Sequence, residues 1–192
     1  LLFLGVSNIS LGNSLNVQNK YESSGNFSWG AGSLSGSYQN VYKKEAGSGS
    51  SIDGFSGRPN YMSFGSGGTT TRSLTLDNLD LSQKSSINLD IIKGNNKNGG
   101  ELPDIGEGLS IEYSTDGVHY TSLFNIPAND PNFDNWTSKT INLPDNARTN
   151  ATKLRFRQEL SSGGKLDQWG LANISFNSVV IGCLLYTSDA AD

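Results

Sequence analysis

The sequence predicts an all-β protein folded as a two-sheet antiparallel β-sandwich. Short runs of alternating apolar and polar residues, separated by turn residues, recur along the chain, and this pattern is typical of strands that bury one face. No window longer than about ten residues keeps apolar side chains at the i, i+3, i+4 and i+7 positions of an amphipathic helix. Both observations favour stacked antiparallel sheets over a helical fold.

The most regular strand follows an acidic, glycine-punctuated loop at residues 99–108. The next residues, Leu-Ser-Ile-Glu-Tyr-Ser from 109 to 114, alternate strictly between apolar and polar. That period predicts a half-buried antiparallel strand. Asp116-Gly117 comes shortly after it and predicts a hairpin turn, because glycine adopts positive φ without strain.

Other segments of the chain show the same alternation. They are residues 4–11, 36–42, 61–64, 70–76, 86–93, 121–126, 137–143, 151–160 and 170–181. In one of them, Ile87, Leu89 and Ile91 should share a face, and Ile92 extends the apolar character to the second face. We therefore expect this strand to lie inside a sheet.

The segment 151–160 predicts a strand with one apolar and one charged face. Leu154, Phe156 and Gln158 fall on the first face, and Arg155 and Arg157 on the second. The arginines should therefore face solvent, with Glu112 as a cross-strand partner.

The composition sets limits on function. The chain has 192 residues, of which 34% are hydrophobic and 17% charged, with a net charge of −4. This length allows one sizeable β domain with a thin core. Only 14 residues are lysine or arginine, and they are scattered, so no nucleic-acid partner is expected. Cys183 is the single cysteine, which excludes a disulfide framework.

The two ends of the sequence carry separate signals. The chain opens with Leu-Leu-Phe-Leu, without Met or a basic residue, and this run is too short for a signal segment or a membrane helix. We therefore expect no membrane insertion and a start inside a longer polypeptide. Residues 183–192 resemble translated adapter sequence at the ends of metagenomic gene sequences, and are expected to lie outside the domain.

An internal match bears on the domain boundaries. Gly-Val-Ser-Asn-Ile-Ser-Leu at 5–11 resembles Gly-Leu-Ala-Asn-Ile-Ser-Phe at 170–176, at an offset of 165 residues. The match is either a coincidence between two strands or part of a tandem array. Residues 1–14 are accordingly the first strand of the sandwich or the last strand of a preceding repeat. Residues 15–182 are predicted to form the domain.

An ordered series of motifs in the second half of the chain resembles one known family. The series is Glu-Leu-Pro-Asp-Ile-Gly-Glu-Gly-Leu-Ser-Ile-Glu-Tyr-Ser-Thr-Asp-Gly at 101–117, Phe-Asp-Asn-Trp-Thr at 133–137, Ala-Thr-Lys-Leu-Arg-Phe-Arg-Gln at 151–158 and Asp-Gln-Trp-Gly-Leu-Ala-Asn-Ile-Ser-Phe at 167–176. In this order and spacing, the motifs resemble the reelin-type jelly-roll repeat over residues 58–182.

The resemblance implies a jelly-roll sandwich in an extracellular, multi-repeat protein. Similar repeats occur in bacterial surface proteins and in tail or fibre proteins of bacteriophages, so the implied location is extracellular or on a virion. The implied role is adhesion, with a cell-surface protein or glycan and the neighbouring repeats as partners, and no catalysis. The alternative is a carbohydrate-binding jelly-roll module attached to a catalytic domain outside this chain.

Four acidic residues are candidate ligands for a metal. Glu101, Asp104 and Glu107 crowd one loop, and Asp167 lies in the last loop. Carboxylate oxygens in a flexible loop suit Ca²⁺, which takes six to eight oxygen ligands. Jelly rolls of this family often hold a structural Ca²⁺, although Ala172 stands here where the family often has an aspartate. The plain alternative is a solvated acidic loop.

The sequence offers little support for an enzyme. His119 is the single histidine and should lie exposed just past a hairpin turn, so no zinc histidine cluster exists and no triad has a supporting motif. Paired carboxylates for glycoside hydrolysis need a fixed separation across a cleft, which the sequence does not supply. Asp77, Asp80 and Asp90 form a second, weaker acidic set.

Several aromatic residues are candidates for a ligand-binding surface. They are Trp29, Tyr38, Tyr42, Tyr120 and Trp136. Exposed, coplanar rings stack on sugar faces, whereas buried rings anchor a core. The segment 23–57 holds the first three, and is expected to form loops and edge strands because linkers rarely contain so many aromatics. Trp169 precedes alternating apolar residues and is expected in the core.

Overall fold

In the computed structural model the chain forms two antiparallel β-sheets that face each other. The structure describes residues 9–10, 15–17, 24–29, 34–39, 41–45, 55, 60–64, 71–98, 100–158, 160 and 167–179. Within these residues there is no α-helix, and two short 3-10 turns cover Pro131–Phe133 and Asp145–Ala147. None of them belongs to a helix long and apolar enough to cross a bilayer. The predicted all-β sandwich is confirmed.

The first sheet, sheet A, contains six strands of the described chain. They are β1 (Ile9–Ser10), β5 (Val41–Glu45), β6 (Asn60–Phe64), β8 (Lys84–Lys93), β11 (Thr137–Asn142) and β13 (Trp169–Ser178). Their order is β11-β8-β13-β6-β5, and β1 also pairs with β13. Strand β8 therefore lies inside the sheet, as the apolar character of both its faces predicted.

The second sheet, sheet B, contains seven strands among the residues that the structure describes. They are β2 (Leu15–Val17), β3 (Ser24–Trp29), β4 (Leu34–Gln39), β7 (Arg72–Leu79), β9 (Leu109–Ser114), β10 (Thr121–Ile126) and β12 (Thr152–Gln158). Their order is β10-β9-β12-β7-β4-β3-β2. Strand β12 lies between β9 and β7, so its outward side chains lie within the outer face of the sheet and not at its edge.

One apolar interior fills the space between the sheets. Its members include Ile87, Ile91, Trp169 and Leu171 from sheet A, and Leu74, Ile111, Leu154 and Phe156 from sheet B. The buried residues alternate along β12 as the sequence predicted, and Trp169 lies in the core as expected. Full burial of one such side chain stabilises the fold by roughly 1.5–3 kcal/mol.

Strand β9 departs from the prediction of a single buried face, because all six of its residues are buried. Its apolar residues enter the interior. On the outward face, two arginines of β12 lie over Glu112, and the Ser114 hydroxyl accepts the Gly117 N–H at 2.8 Å. The cover comes from another strand and from the following turn, so alternation within β9 could not reveal it.

The predicted hairpin at Asp116-Gly117 is present. Strands β9 and β10 pair antiparallel across it, and Gly117 has a φ of +76°. Asp116 Oδ1 accepts the backbone N–H groups of Val118 and His119, both at 2.8 Å. The hydrogen bond with the His119 ring, together with these backbone bonds, holds the pKa of Asp116 well below its usual range. His119 is exposed, as predicted.

The glycine- and serine-rich part of the chain contains strands that the sequence analysis did not resolve. The single predicted strand at 36–42 is two strands, β4 and β5, which belong to different sheets. Strand β2 was not predicted. Strand β3 lies in the segment 23–57, which was expected to form loops and edge strands, but its bounds were not predicted. Runs such as Ser-Gly-Asn-Phe-Ser-Trp contain few apolar residues, so their alternation is weak. The two described residues of the segment 1–14 form β1, and the domain boundaries stay a prediction.

A second, smaller apolar cluster lies on the outer face of sheet A. Phe55, Tyr61, Ile92 and Ala172 are buried in it, and Trp136 packs against it half-buried. The Trp136 ring meets the other two rings nearly edge-on, with centroid distances of 5.5 Å to Tyr61 and 6.1 Å to Phe55. Edge-to-face contacts of this kind add about 0.5–1.5 kcal/mol to the burial of the rings.

This cluster rests on a glycine. A Cβ at Gly170 would lie 2.8 Å from Ile92 Cγ2, 3.0 Å from Phe55 Cδ2 and 3.1 Å from Trp136 Cη2. All three side chains would have to move to make room for a methyl group, so the close packing of the rings on β13 depends on a glycine at this position.

We expect Phe156→Ala to lower the free energy of unfolding by about 3–5 kcal/mol, because it removes a ring from the centre of the shared interior and leaves a cavity. Urea denaturation measures the change. The matched control is Leu160→Ala, since Leu160 is 64% exposed and its truncation should cost no more than about 0.5 kcal/mol. Equal effects of the two substitutions would contradict the sandwich described above.

We expect Gly170→Ala to destabilise the domain by about 1–3 kcal/mol through overpacking of the ring cluster. The same substitution in a Trp136→Ala background should cost clearly less, because the truncation opens space beside the new methyl group. A double-mutant cycle of denaturation midpoints tests this coupling. Strictly additive losses would show that the methyl group does not meet the rings.

Candidate functional site

Two loops meet at one end of the sandwich, where β8 ends and β13 begins. The Gly94 N–H donates to the carbonyl of Gln168 at 2.7 Å, and the Gln168 N–H donates to the carbonyl of Glu101 at 3.1 Å. A side chain is excluded at Gly94, where a Cβ would lie 1.7 Å from the Glu101 oxygen. These bonds hold the loop at 94–108 against Asp167.

This contact gathers three of the four predicted metal ligands. One carboxylate oxygen from each of Asp104, Glu107 and Asp167 lies within 4.8 Å of the other two. Asp104 is exposed, whereas Glu107 and Asp167 are each only 3% exposed. A tight turn orients the first two, because the Glu107 N–H donates to the Asp104 carbonyl and the Asp104 N–H donates to Glu107 Oε2, both at 3.0 Å.

The backbone around these carboxylates is fixed by further contacts. Asp167 has a φ of +63°, a left-handed conformation that aspartate adopts more readily than most residues. The Trp169 indole N–H donates to the Glu107 carbonyl at 2.9 Å. Glu101 Oε2 accepts the Asp167 N–H at 3.3 Å. The fourth predicted ligand thus contacts the backbone of the site and is not one of the three clustered carboxylates.

Arg72 is a buried cation beside the carboxylates, and the sequence analysis did not single it out. Its Nη1 donates to the Asp167 carbonyl and to Gln158 Oε1, both at 3.0 Å. Burial lowers the pKa of the Arg72 guanidinium, while the carboxylates of Asp167 and Glu107 act in the opposite direction. The available signal was positional, because Arg72 and Gln158 occupy inward positions next to Leu74 and Phe156, which are apolar and buried.

The three clustered carboxylates have the charge and spacing that suit a divalent cation. Together with Arg72 they sum to −2 when ionised. Asp104 is exposed, but the two buried carboxylates of Glu107 and Asp167 still outnumber the one guanidinium, and a buried carboxylate without a balancing charge is costly. Two oxygens bound to one Ca²⁺ ion at 2.3–2.6 Å can lie up to about 5 Å apart, so oxygens within 4.8 Å of one another are close enough to share an ion. Ala172 lies in the outer-face cluster of sheet A, so the aspartate missing there removes none of these three ligands.

The weaker acidic set is dispersed. Asp77 pairs with Lys153 Nζ at 2.9 Å, and Asp80 accepts the Ser82 N–H at 3.1 Å. Asp90 lies on sheet A and accepts from the Asn173 amide at 2.7 Å. These three carboxylates have separate partners in separate places and form no common site.

The outer face of sheet B carries three connected charged side chains, those of Glu112, Arg155 and Arg157, which we call the arginine triad. Glu112 accepts from Arg155 Nε at 2.6 Å and from Arg157 Nη2 at 3.0 Å. The Cζ atom of Arg155 also lies 3.6 Å from the centre of the Tyr120 ring, which is a cation–π contact. The predicted cross-strand pairing of the arginines with Glu112 is present, and both arginine side chains remain 27% exposed.

Small hydroxyl side chains surround the arginine triad. Thr75 stands opposite Arg155 and Ser73 opposite Arg157 on the adjacent β7, and Ser37 stands opposite Thr75 on β4. The arginines and Tyr120 therefore lie beside short polar groups, and the Lys153–Asp77 ion pair lies further along the same face.

The aromatic residues predicted to bind a ligand do not form one surface. Tyr120 lies on the outer face of sheet B under Arg155, and Trp136 packs on the outer face of sheet A. These two rings are on opposite sides of the sandwich. The side chains of Trp29, Tyr38 and Tyr42 lie outside the described part of the chain, and their backbones belong to strands of two different sheets.

The remainder of the outer face of sheet A is a network of amides and hydroxyls. The Asn88 amide donates to Asn177 Oδ1 at 2.8 Å, and the Thr140 hydroxyl donates to Asn88 Oδ1 at 2.7 Å. The Ser138 hydroxyl donates to Asp90 on the same face. These groups bond one another across three strands, which makes this face a polar surface beside the half-exposed Trp136.

Solved structures share this architecture at low sequence identity. The K1 cleaved adhesin domain of Lys-gingipain from Porphyromonas gingivalis W83 aligns with a TM-score of 0.53 and 15% identity, over 92% of this chain and 99% of that chain. A carbohydrate-binding module of the β-sandwich superfamily aligns with a TM-score of 0.49 and 11% identity, over 81% of this chain. The present chain covers only 54% of that second structure. At such identities the likeness concerns the fold alone.

Sequence comparison assigns the family. No curated protein sequence matches the chain. The sequence profile of Reelin subrepeat B matches residues 49–177, which is more than half of the chain and runs from before β6 to the end of β13. The chain therefore belongs to the Reelin subrepeat B family.

Proposed function

We propose that this domain is a non-catalytic recognition module of an extracellular or virion-surface protein, and that it binds a cell-surface protein or glycan. The arginine triad on the outer face of sheet B is the observation that carries this proposal. Arginine and tyrosine are the side chains enriched at the energetic centres of protein interfaces. Membership of the Reelin subrepeat B family supports an extracellular setting.

The geometry of the triad favours ligand binding over a purely structural role. Glu112 is buried, but the side chains of both arginines remain 27% exposed, and solvent screening keeps the contribution of such ion pairs to stability small. Glu112 and Tyr120 nevertheless fix the orientation of Arg155. A side chain that is already ordered loses little entropy on binding, and a planar guanidinium donates in parallel to carboxylates, sulfates or sugar hydroxyls. The triad is thus suited to a polar or anionic surface ligand.

A structural Ca²⁺ at the end of the sandwich is a further part of the proposal. Asp104, Glu107 and Asp167 would hold the ion, and Glu101 would support the backbone of Asp167. The charge of −2 left by the carboxylates and Arg72 supports this assignment. The ion would supply no chemistry beyond fixing residues 104–107 relative to Asp167.

A carbohydrate-binding module is the alternative, with the ligand on the opposite face of the sandwich. Its support is the half-exposed Trp136 beside the amide and hydroxyl network of sheet A, since a sugar ring stacks on an aromatic ring while its hydroxyls bond neighbouring polar groups. The two readings use different faces, and substitutions on one face leave the other unchanged.

We expect Ca²⁺ at 100 times its dissociation constant to stabilise the domain by about 2.7 kcal/mol, which raises the melting temperature by about 5–10 °C for a chain of this size. Glu107→Gln and Asp167→Asn should abolish this shift, because each keeps the shape of the side chain and removes a negative charge. Asp145→Asn is the control, since Asp145 is 97% exposed and distant from the cluster. An unchanged melting curve at millimolar Ca²⁺ would remove the ion from the proposal.

We expect binding to an array of neutral glycans, acidic glycans and extracellular-matrix proteins to fall about tenfold or more on Arg155→Gln. This substitution removes the positive charge that Glu112 and Tyr120 hold in place. Thr140→Ala, on the outer face of sheet A, is the matched control and should leave binding unchanged. Loss of glycan binding on Trp136→Ala, with Arg155→Gln still active, would instead establish the carbohydrate-binding alternative.

A further inference from the structure

The edge of β13 is divided between two strands. On one side β13 pairs with β8 along most of its length. On the other side, residues Trp169–Leu171 pair with β6, while Ser175 and Phe176 pair with β1. Within the described residues, β1 is the only strand that covers this second half of the edge. It does so with two residues that come from a distant part of the chain.

The sequence that supplies β1 is a second copy of the β13 sequence. Gly-Val-Ser-Asn-Ile-Ser-Leu-Gly-Asn-Ser-Leu-Asn-Val at 5–17 aligns with Gly-Leu-Ala-Asn-Ile-Ser-Phe-Asn-Ser-Val-Val-Ile at 170–181 when Gly12 is treated as an insertion. Six of the twelve aligned positions are identical. Four of these identities fall within residues 5–11, and two more, Asn13 and Ser14, follow the insertion.

The shared motif has a structural meaning in β13. Asn173 has a φ of +51° and sits at a register shift between Ala172 and Ser175, which is a β-bulge. Asparagine is among the few residues that adopt this conformation readily. The bulge separates the half of β13 that meets β6 from the half that meets β1. In the copy at residues 5–17, Asn8 aligns with Asn173. The sequence of that copy is therefore compatible with a strand that has the same bulge.

The observed pairing joins equivalent positions of the two copies. Ser10 lies opposite Ser175 in the antiparallel ladder, and these two residues align with each other in the repeat. An antiparallel pair centred on equivalent residues is self-complementary, as in a two-fold interface. The part of a β13-type strand edge that β6 leaves uncovered therefore fits the same part of the edge of a second such strand.

We propose that the edge of β13 at Ser175–Phe176 is a strand-pairing site whose partner is the equivalent strand of another module of the same kind. Two modules joined in this way share one continuous sheet across a local two-fold axis. Exposed strand edges recruit strands through their backbone N–H and C=O groups. In this chain residues 9–10 occupy the site as the β13-type strand of such a partner. This inference is independent of which face binds the ligand.

Disulfide trapping on the intact chain tests the proposal. The chain carries Ser175→Cys together with Cys183→Ser, so that it has one thiol. Two peptides copy residues 170–178, one with cysteine in place of Ser175 and the other with cysteine in place of Asn177. Directly opposite residues in an antiparallel pair have Cβ atoms about 4.5–5.5 Å apart, close to the separation that a disulfide requires.

We expect the first peptide, at millimolar concentration, to form the mixed disulfide on the order of tenfold faster than the second, because only the first places its thiol opposite residue 175. Ser10→Pro should raise the yield of this mixed disulfide further, because it displaces β1 from the edge of β13. Ser10→Ala should leave the yield unchanged. In light scattering, the Ser10→Pro chain should also dimerise in a concentration-dependent manner.

Equal rates for the two peptides on the intact chain would overturn the proposal, whether or not the Ser10→Pro chain folds. A folded Ser10→Pro chain that stays monomeric would also overturn it. Either result would mean that β1 is the specific first strand of this sandwich, and that the edge of β13 accepts no other module.

Discussion

The fold depends on one constraint: a polar chain must bury two sheets against each other with few apolar residues. Only 34% of the chain is hydrophobic, and alternation sends most of the apolar strand residues whose side chains the structure describes to the shared interior. Apart from the small apolar cluster on sheet A, the outer faces are left with serines, threonines, amides and charges. These groups then bond one another across strands, as Glu112 does with its two arginines and Asn88 with Asn177. The features that suit recognition follow from how the core is built.

The same constraint explains the buried charges at one end of the sandwich. The inward alternation of β7 and β12 continues to their shared end, where the inward positions hold Arg72 and Gln158 rather than apolar residues. A guanidinium buried there requires partners, and the carbonyl of Asp167 and the Gln158 amide supply them. The acidic loops close over this end and bring Glu107 next to Arg72. The carboxylate cluster is therefore part of how the sandwich is capped, and its excess negative charge is a consequence of the same arrangement.

Sequence reasoning succeeded where a single strand contains enough information. The alternation of residues 151–158 and 86–93 identified β12 and β8 and their buried faces. It failed for β3, because Ser-Gly-Asn-Phe-Ser-Trp has almost no apolar period, and it joined β4 to β5 because nothing in the sequence marks the change of sheet. The acidic candidates were found by their crowding in one loop. Arg72 was missed because its role comes from strands and loops that are distant in sequence and meet only in the folded chain.

Strand β13 connects the separate surfaces of the domain. Its first residue, Trp169, contacts the acidic end through Glu107, whereas Ser175 lies six residues further along the strand, a distance of about 20 Å at 3.3 Å per residue. The arginine triad lies on the other sheet and faces away from both. Joining modules through the distal edge of β13 would therefore leave the carboxylate cluster and the outer face of sheet B open. A repeated protein built in this way can extend its length without covering the surfaces that each module offers to ligands.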